Sequence, residues 1–354
     1  MTEQRHALVF GATGHIGKWL VRELLLQDVR VTAAVRSEES FTRLASWLRD
    51  HDADGRATQA LVNFNRDDLG QDPTSSAFSS VTEVHNVAGA FAFGMGAEAA
   101  YTANVTSAER VVRFAARLPA LTRLVHLSGY RVGGQDPTRV PWDDARRARE
   151  YKRLGAYEGS KVESDAVVQA AARSLGVPFT MVNPATVIGD SVRGESGQVL
   201  GLATSVVDLF RGKLPALPGN GRTFVPVVAA DYLASFMALI PISPDAENAS
   251  YWVLDDATPP LPDLLRMLGK HLNVRVPWLR IPSGLLKRLP AKLTGADPET
   301  LSFLSEDRYA TAAAVALAEA HGLRHPPVDV ALKRWADYLV AGEPAAAAGR
   351  VASM

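Results

Sequence analysis

The sequence predicts an α/β protein: a doubly wound parallel sheet followed by a smaller C-terminal lobe. Three observations predict it. Short β-branched apolar runs alternate with longer helical patterns up to about residue 190. A glycine-rich turn follows the first of those runs. Beyond residue 190 the alternation gives way to stretches punctuated by Gly and Pro. Strand–helix alternation implies parallel strands with helices on both faces, and right-handed crossovers then favour a Rossmann-like order.

Taken in order, Ala7–Phe10, Val29–Val35, Ala60–Phe64, Val81–Val87, Leu121–Leu127 and Phe179–Val182 read as strands. Between the fourth and fifth, Val105, Ala108, Val112 and Ala115 recur at helical spacing and share one face. The charged run Asp143–Arg153 reads as a solvated loop or helix face. The reading assigns 1–190 to the sheet domain and 191–340 to the smaller lobe, with a segment near 224–240 returning to the first domain. Residues 341–354 are low-complexity and read as a disordered tail.

Composition bounds the function. With 354 residues the chain can bury a sizeable core. Lys plus Arg and Asp plus Glu both number 38, so the net charge carries no global signal for nucleic acid or an anionic membrane, although a local patch stays open. There is no cysteine, which excludes disulfides, thiolate catalysis and cysteine-ligated metals. No metal site is expected. No signal-peptide pattern or long apolar run is evident, so the expectation is a soluble, cytoplasmic protein.

The turn after strand one is Gly11-Ala12-Thr13-Gly14-His15-Ile16-Gly17. Gly11 permits the tight turn, Gly14 lets the backbone approach a pyrophosphate, and Gly17 lets helix and strand pack closely. The helix start then offers N–H groups and a positive dipole end to phosphate. An acid at the tip of strand two would bind a ribose 2′-hydroxyl, but the tip here is Ala34-Val35-Arg36-Ser37. Arg36, with Arg43 seven residues on, suits a 2′-phosphate instead, and the expected cofactor is NADP(H). The same two arginines also read as ordinary surface residues. Asn63 reads either as a partner for the adenine edge or as a turn former.

Tyr157 and Lys161 stand four residues apart, one helical turn on a shared face. A phenol is a poor acid at neutral pH, and a nearby ammonium favours its phenolate, so the pair suits proton transfer to a carbonyl oxygen. An amphipathic surface pair has the same spacing. Ser128 ends the fifth strand, where an open α/β sheet faces its ligand crevice. There its hydroxyl reads either as a donor to the carbonyl oxygen or as a turn cap. Asn104 opens the helix after strand four and reads as a water holder near Lys161 or as an N-cap.

Together these residues resemble the extended short-chain dehydrogenase/reductase family, of the epimerase or dihydroflavonol-reductase-like type. The resemblance runs over roughly residues 6–340. It rests on the Gly11/Gly14/Gly17 turn, Val84–Gly89, Asn104, Ser128, Tyr157, Lys161, Pro184–Gly189 and Phe224–Val228 with Asp231. It implies a catalytic tetrad of Asn104, Ser128, Tyr157 and Lys161. It adds Ala88, Pro184 and Val187 to a cofactor-binding set of Gly11, Thr13, Gly14, His15, Ile16, Gly17, Arg36, Arg43 and Asn63, with Lys161 also contacting the nicotinamide ribose.

Departures narrow the choice. Asn183 stands where the family often has arginine, and Gly129-Tyr130 replaces the Asp-Glu pair of sugar dehydratases. Gly189-Asp190-Ser191 resembles reductase domains that release carrier-bound thioesters. The expected function is NADPH-dependent reduction of a ketone or aldehyde on a medium-sized, partly apolar molecule. The alternatives are a nucleotide-sugar epimerase-like enzyme, a thioester reductase and a non-catalytic NADP-sensing regulator. The expected partner is a small-molecule carbonyl substrate. Neither nucleic acid nor membrane is expected, and a homodimer is compatible with the reading.

Overall fold

The computed structural model describes residues 4–53, 57–90, 94–197, 199, 201–286, 301 and 303–342. The sequence-predicted tail therefore lies outside the described residues, apart from 341 and 342, as do Phe91, Ala92 and Phe93. The chain forms two units. The first comprises 1–184, 233–253 and 312–323, and the second comprises 185–232, 254–311 and 324–354.

The first unit opens with β1 (His6–Phe10), α1 (His15–Leu26), β2 (Arg30–Val35), α2 (Glu38–Arg49), β3 (Ala57–Leu61) and β4 (Glu83–Asn86). Next come α3 (Ala97–Ala100), a π-helical turn Tyr101–Thr106, α4 (Ser107–Ala115) and β5 (Arg123–Leu127). Then follow α5 (Asp144–Leu154), α6 (Ala156–Ser174) and β6 (Phe179–Pro184). With the later strand Ala249–Val253 they make a seven-stranded sheet in the order Ala249–Val253, β6, β5, β4, β1, β2, β3. Every pairing in it is parallel. The order reverses between β1 and β4, and the carboxyl ends of strands at such a switch point form a ligand crevice.

The core explains the helix register. Val105, Ala108, Val112 and Ala115 are all buried, as their spacing predicts. Three of them pack with Leu8, Phe10, Val84, Phe114 and Leu124 in one cluster. Phe114 meets Phe10 and Phe78 edge-on, at ring separations of 6.0 and 5.4 Å.

Two readings need correction. The third strand is Ala57–Leu61, not Ala60–Phe64. It forms the sheet edge, where exposed Thr58 and Gln59 are tolerated, so its apolar signal is weak. The chain then leaves the sheet, with Asn63 N–H donating to Leu69 O at 2.9 Å, yet Phe64 still packs on Phe10. The seventh strand, Ala249–Val253, lies in the region read as the smaller lobe, where the strand–helix alternation gives way. It is the opposite edge, and its half-buried residues around Ser250 blunt the alternation. Of the two readings of the charged run Asp143–Arg153, a loop or a helix face, the chain takes the helix, α5, capped by Asp143. Asp143 Oδ1 accepts from Arg146 N–H at 2.6 Å, and Tyr151 within it is buried.

The second unit holds two short parallel pairs, Thr186–Ile188 with Val227–Ala229 and Leu217–Pro218 with Arg280–Ile281. Its core gathers Val206, Leu265, Leu268, Leu332 and Trp335 from the helices Leu202–Phe210, Leu261–His271 and Val328–Val340. The helix Ala230–Leu239 begins in this unit and ends in the first.

Candidate active site

The glycine turn sits at the switch point. Gly11 has φ +82°, and a Cβ there would come within 2.7 Å of Ala88 N, so neither the backbone angle nor the space admits a side chain. A Cβ on Gly17 would stand 2.0 Å from Gly11 O, so α1 rests directly on the turn. Gly14 N–H closes the turn onto Gly11 O at 3.0 Å, and Gly14 caps α1 with no side chain over its first N–H groups. Thr13 and Gly14 are exposed, and His15 and Ile16 are half-buried beside them. This cradle suits a pyrophosphate: glycine where the backbone must approach, and an open helix start to receive charge.

At the tip of β2, Arg36 is exposed and has no ion-pair partner among the described residues. Ser37 Oγ accepts from Ser40 N–H and caps α2. Arg43, one turn later, donates to Ser40 Oγ at 3.1 Å. Two carboxylates, Glu38 and Glu39, share that first turn, and the Ser37 hydroxyl holds Glu39 below the usual carboxylate range. Asn63 accepts from Asn65 N–H at 2.9 Å through Oδ1 and so organises its own turn.

The tetrad residues all belong to the first unit. Asn104 lies within the π-helical turn and is buried, rather than opening the helix as an N-cap. Such turns recur at functional sites because they re-aim one side chain. Its Oδ1 accepts from Ala90 N–H at 3.0 Å and its Nδ2 donates to Ser160 Oγ at 2.9 Å. Ser160 Oγ donates to Tyr157 O at 2.8 Å, so Asn104 ties the loop after β4 to the start of α6. Tyr157 and Lys161 share one face of α6, and both are half-buried. Lys161 Nζ donates to Leu127 O at 3.3 Å, the carbonyl immediately before Ser128. Burial lowers the Lys161 pKa to about 8, and Asp165 opposes that shift.

The first turns of α6 are held from outside. Gly159 lets Tyr151 of α5 approach, since a Cβ there would lie 2.7 Å from Tyr151 Cδ1. Tyr151 Oη donates to Glu163 Oε2 at 2.9 Å, and Arg147 clamps the same carboxylate at 2.8 Å. These contacts fix the helix that carries Tyr157.

Two residues escape the sequence reading. Asp165, one turn beyond Lys161, is fully buried, and its Oδ2 accepts from Gln135 N–H and Gln169 Nε2, both at 2.9 Å. Burial pushes its carboxyl up, and the Gln135 N–H, the Lys161 charge and the Gln169 amide oppose that shift. The repeated four-residue spacing Tyr157, Lys161, Asp165 is the signal that could have found it. His126, two residues before Ser128, is buried, and burial with the Lys161 charge lowers its pKa to about 3. Asn86 Nδ2 donates to its Nδ1 at 3.2 Å.

Pro184 ends β6, and its carbonyl accepts from Tyr130 N–H at 3.0 Å. Val187 belongs to the second unit, opposite Val228 in its short sheet. Asn183 is fully buried, donates to Ser250 Oγ at 2.8 Å, and leaves room only for glycine at 133. In Gly189-Asp190-Ser191, Asp190 accepts from the N–H groups of Val192, Arg193 and Glu195 and thus builds a tight turn.

The comparisons agree with this architecture. The family model described as male sterility protein matches residues 9–237. Sterol demethylase protein B of Methylococcus capsulatus is 28% identical over 239 residues, 64% of this chain and 65% of that protein. The match thus spans somewhat under two thirds of that relative's length. The terminal R domain of the myxalamid PKS-NRPS biosynthetic pathway superposes with a TM-score of 0.74 at 18% identity, covering 97% of this chain and 92% of that one. Gre2 of Candida albicans, solved with NADPH, gives a TM-score of 0.63 at 16% identity, covering 96% and 100%. Sheet order, glycine turn and family match lead to one conclusion: the chain belongs to the male sterility protein family of extended short-chain dehydrogenase/reductase-like, NAD(P)-dependent oxidoreductases.

Proposed function

We propose that the chain reduces a ketone or aldehyde on a medium-sized, partly apolar organic molecule, with NADPH as reductant and Tyr157 as general acid. The observation that carries the reading is the α6 arrangement. Tyr157 and Lys161 share one face, and Lys161 is bonded to the main chain beside Ser128. The sterol in the relative's name favours an apolar substrate.

Bound NADPH supplies a hydride to the carbonyl carbon. The residues that would hold it are the Gly11–Gly17 turn at the pyrophosphate and Arg36 with Arg43 at the 2′-phosphate. The protein's own part is proton transfer and orientation. The Tyr157 hydroxyl gives its proton to the carbonyl oxygen, leaving a phenolate. The Lys161 ammonium lowers the cost of that phenolate. The Ser128 hydroxyl donates to the same carbonyl oxygen and holds it in line. Asn104 keeps Ser160, and with it the first turn of α6, at a fixed distance from the Ala90 loop.

A carbonyl panel tests the reading: an aromatic aldehyde, a keto-steroid, an aliphatic ketone and an acyl thioester. Each is offered with NADPH and with NADH, and loss of reduced-nicotinamide absorbance is followed. Oxidation of NADPH by the aldehyde or a ketone, in preference to NADH, is the expected result. Turnover of the thioester alone would move the assignment to acyl reduction, and an NADH preference would remove the role given to Arg36.

A further inference from the structure

Between Leu264 and Ala296 the sequence carries seven Lys or Arg residues and no Asp or Glu, in a chain whose charges balance overall. Part of this stretch is held rigidly in the second unit. After the helix Leu261–His271, Val274 and Val276 pack onto the core, and Val276 occupies the space beside Gly269. Leu217 N–H then donates to Leu279 O at 2.9 Å, and Gly219 N–H to Ile281 O at 2.8 Å. Leu286 turns inward again onto the same core.

Those anchors force the intervening side chains outward. Trp278 is 86% exposed, Leu279 45% and Leu285 52%. Arg275 and Arg280 flank the tryptophan, exposed and without an ion-pair partner among the described residues. Single exposed apolar residues are ordinary, but here three large ones fall within eight positions, and two of them, Trp278 and Leu279, lie between Arg275 and Arg280. The main-chain bonds at 279 and 281 prevent Trp278 from folding back without loss of pairing.

We propose that this face docks on an anionic lipid surface. Trp278, Leu279 and Leu285 enter the headgroup boundary, and Arg275 and Arg280 meet the lipid phosphates. Tryptophan favours that boundary because its ring is apolar and its N–H is polar, and guanidinium pairs well with phosphate. No carboxylate in the segment opposes the approach. An acidic protein could meet the same charges, but it would need a groove to receive the protruding indole, whereas a bilayer interface needs none. No helix among the described residues is long and apolar enough to cross a membrane, so the attachment is peripheral. The balanced total charge conceals this patch, which is why composition points away from a membrane.

The test is co-sedimentation of the full chain with vesicles of phosphatidylcholine alone and of phosphatidylcholine with phosphatidylserine. Binding to the anionic vesicles only, weakened by added salt, is expected. At about 1 kcal/mol per basic residue, Arg275→Ser and Arg280→Ser should each weaken binding about fivefold. Trp278→Ser should weaken it further. All three positions are exposed, so each variant should keep the wild-type melting temperature and NADPH affinity. Equal binding by wild type and the Arg275→Glu/Arg280→Glu variant would overturn the proposal. So would absence of binding to either vesicle, or a concentration-dependent dimer that Trp278→Ser abolishes, which would give the face to a second copy. Failure of the carbonyl panel leaves this measurement untouched.

Discussion

Arg36 is where a single side chain bears on cofactor choice. It stands at the tip of β2 with no acid on the strand and no ion-pair partner among the described residues. A charge-assisted contact with a 2′-phosphate is worth about 1.5–3 kcal/mol. Arg36→Ala should therefore lower kcat/KM for NADPH by about ten- to a hundredfold and leave NADH use nearly unchanged, which paired kinetics with both cofactors would show. Equal losses would mean that the side chain has no partner on the cofactor. Ser128, Tyr157 and Lys161 stand out in the sequence because the proposed chemistry needs those residue types. Asn63 was ambiguous for a physical reason, since an asparagine amide serves a turn and a base edge equally well, and here it organises its own turn. Asp165 went unread although it repeats the four-residue spacing, because nothing in the sequence shows that it is buried or that the Gln135 N–H, thirty residues earlier, comes to it.

At the scale of elements, the close seat of α1 on the glycine turn makes a sharp prediction. A Cβ at position 17 meets Gly11 O and carbon atoms of the turn that cannot move without dragging β1. Overpacking of this kind costs about 1–3 kcal/mol. Gly17→Ala should lower the melting temperature by roughly 3–10 °C on the scale of a domain of this size. It should also abolish measurable dinucleotide binding, because it displaces the N–H groups proposed to receive the pyrophosphate. Retention of wild-type affinity by a folded Gly17→Ala protein would show that the phosphates bind elsewhere. The central strands and α4 were readable because burial on both faces imposes long apolar runs and a strict helical face. The two edge strands were not. One is polar on its open side, and the other mixes Ser250 into half-buried surroundings, so periodicity falters where only one neighbour exists. The charged run before α6 illustrates the same limit. Arg147 and Tyr151 have partners in Glu163, sixteen and twelve residues away, and only the packed pair of helices brings them together.

Across the whole molecule, buried histidines set the response to acid. Burial lowers His6 from its ordinary 6.5 to about 4 and His126 to about 3. Between those values and 6.5 the unfolded chain binds more protons than the folded one, so stability rises with pH across that window. Denaturant midpoints should therefore fall as pH drops below about 6.5, and His6→Gln should flatten part of the slope. A midpoint independent of pH from 4 to 6.5 would contradict the burial argument. The sheet domain was evident at this scale, because its strands and crossovers follow one another along the chain. The second unit was not, because it is assembled from 185–232, 254–311 and 324–354, and its short sheets pair residues as far apart as Leu217 and Arg280. The central claim is proton donation by Tyr157 during reduction of a carbonyl. It is tested most directly by single-turnover oxidation of NADPH with the best carbonyl of the panel, in wild type and in Tyr157→Phe. That substitution removes one hydroxyl and keeps the ring, so folding and NADPH binding should persist while the rate falls by about 10²–10⁴. A folded, NADPH-bound Tyr157→Phe protein that reduces the carbonyl at the wild-type rate would contradict the account.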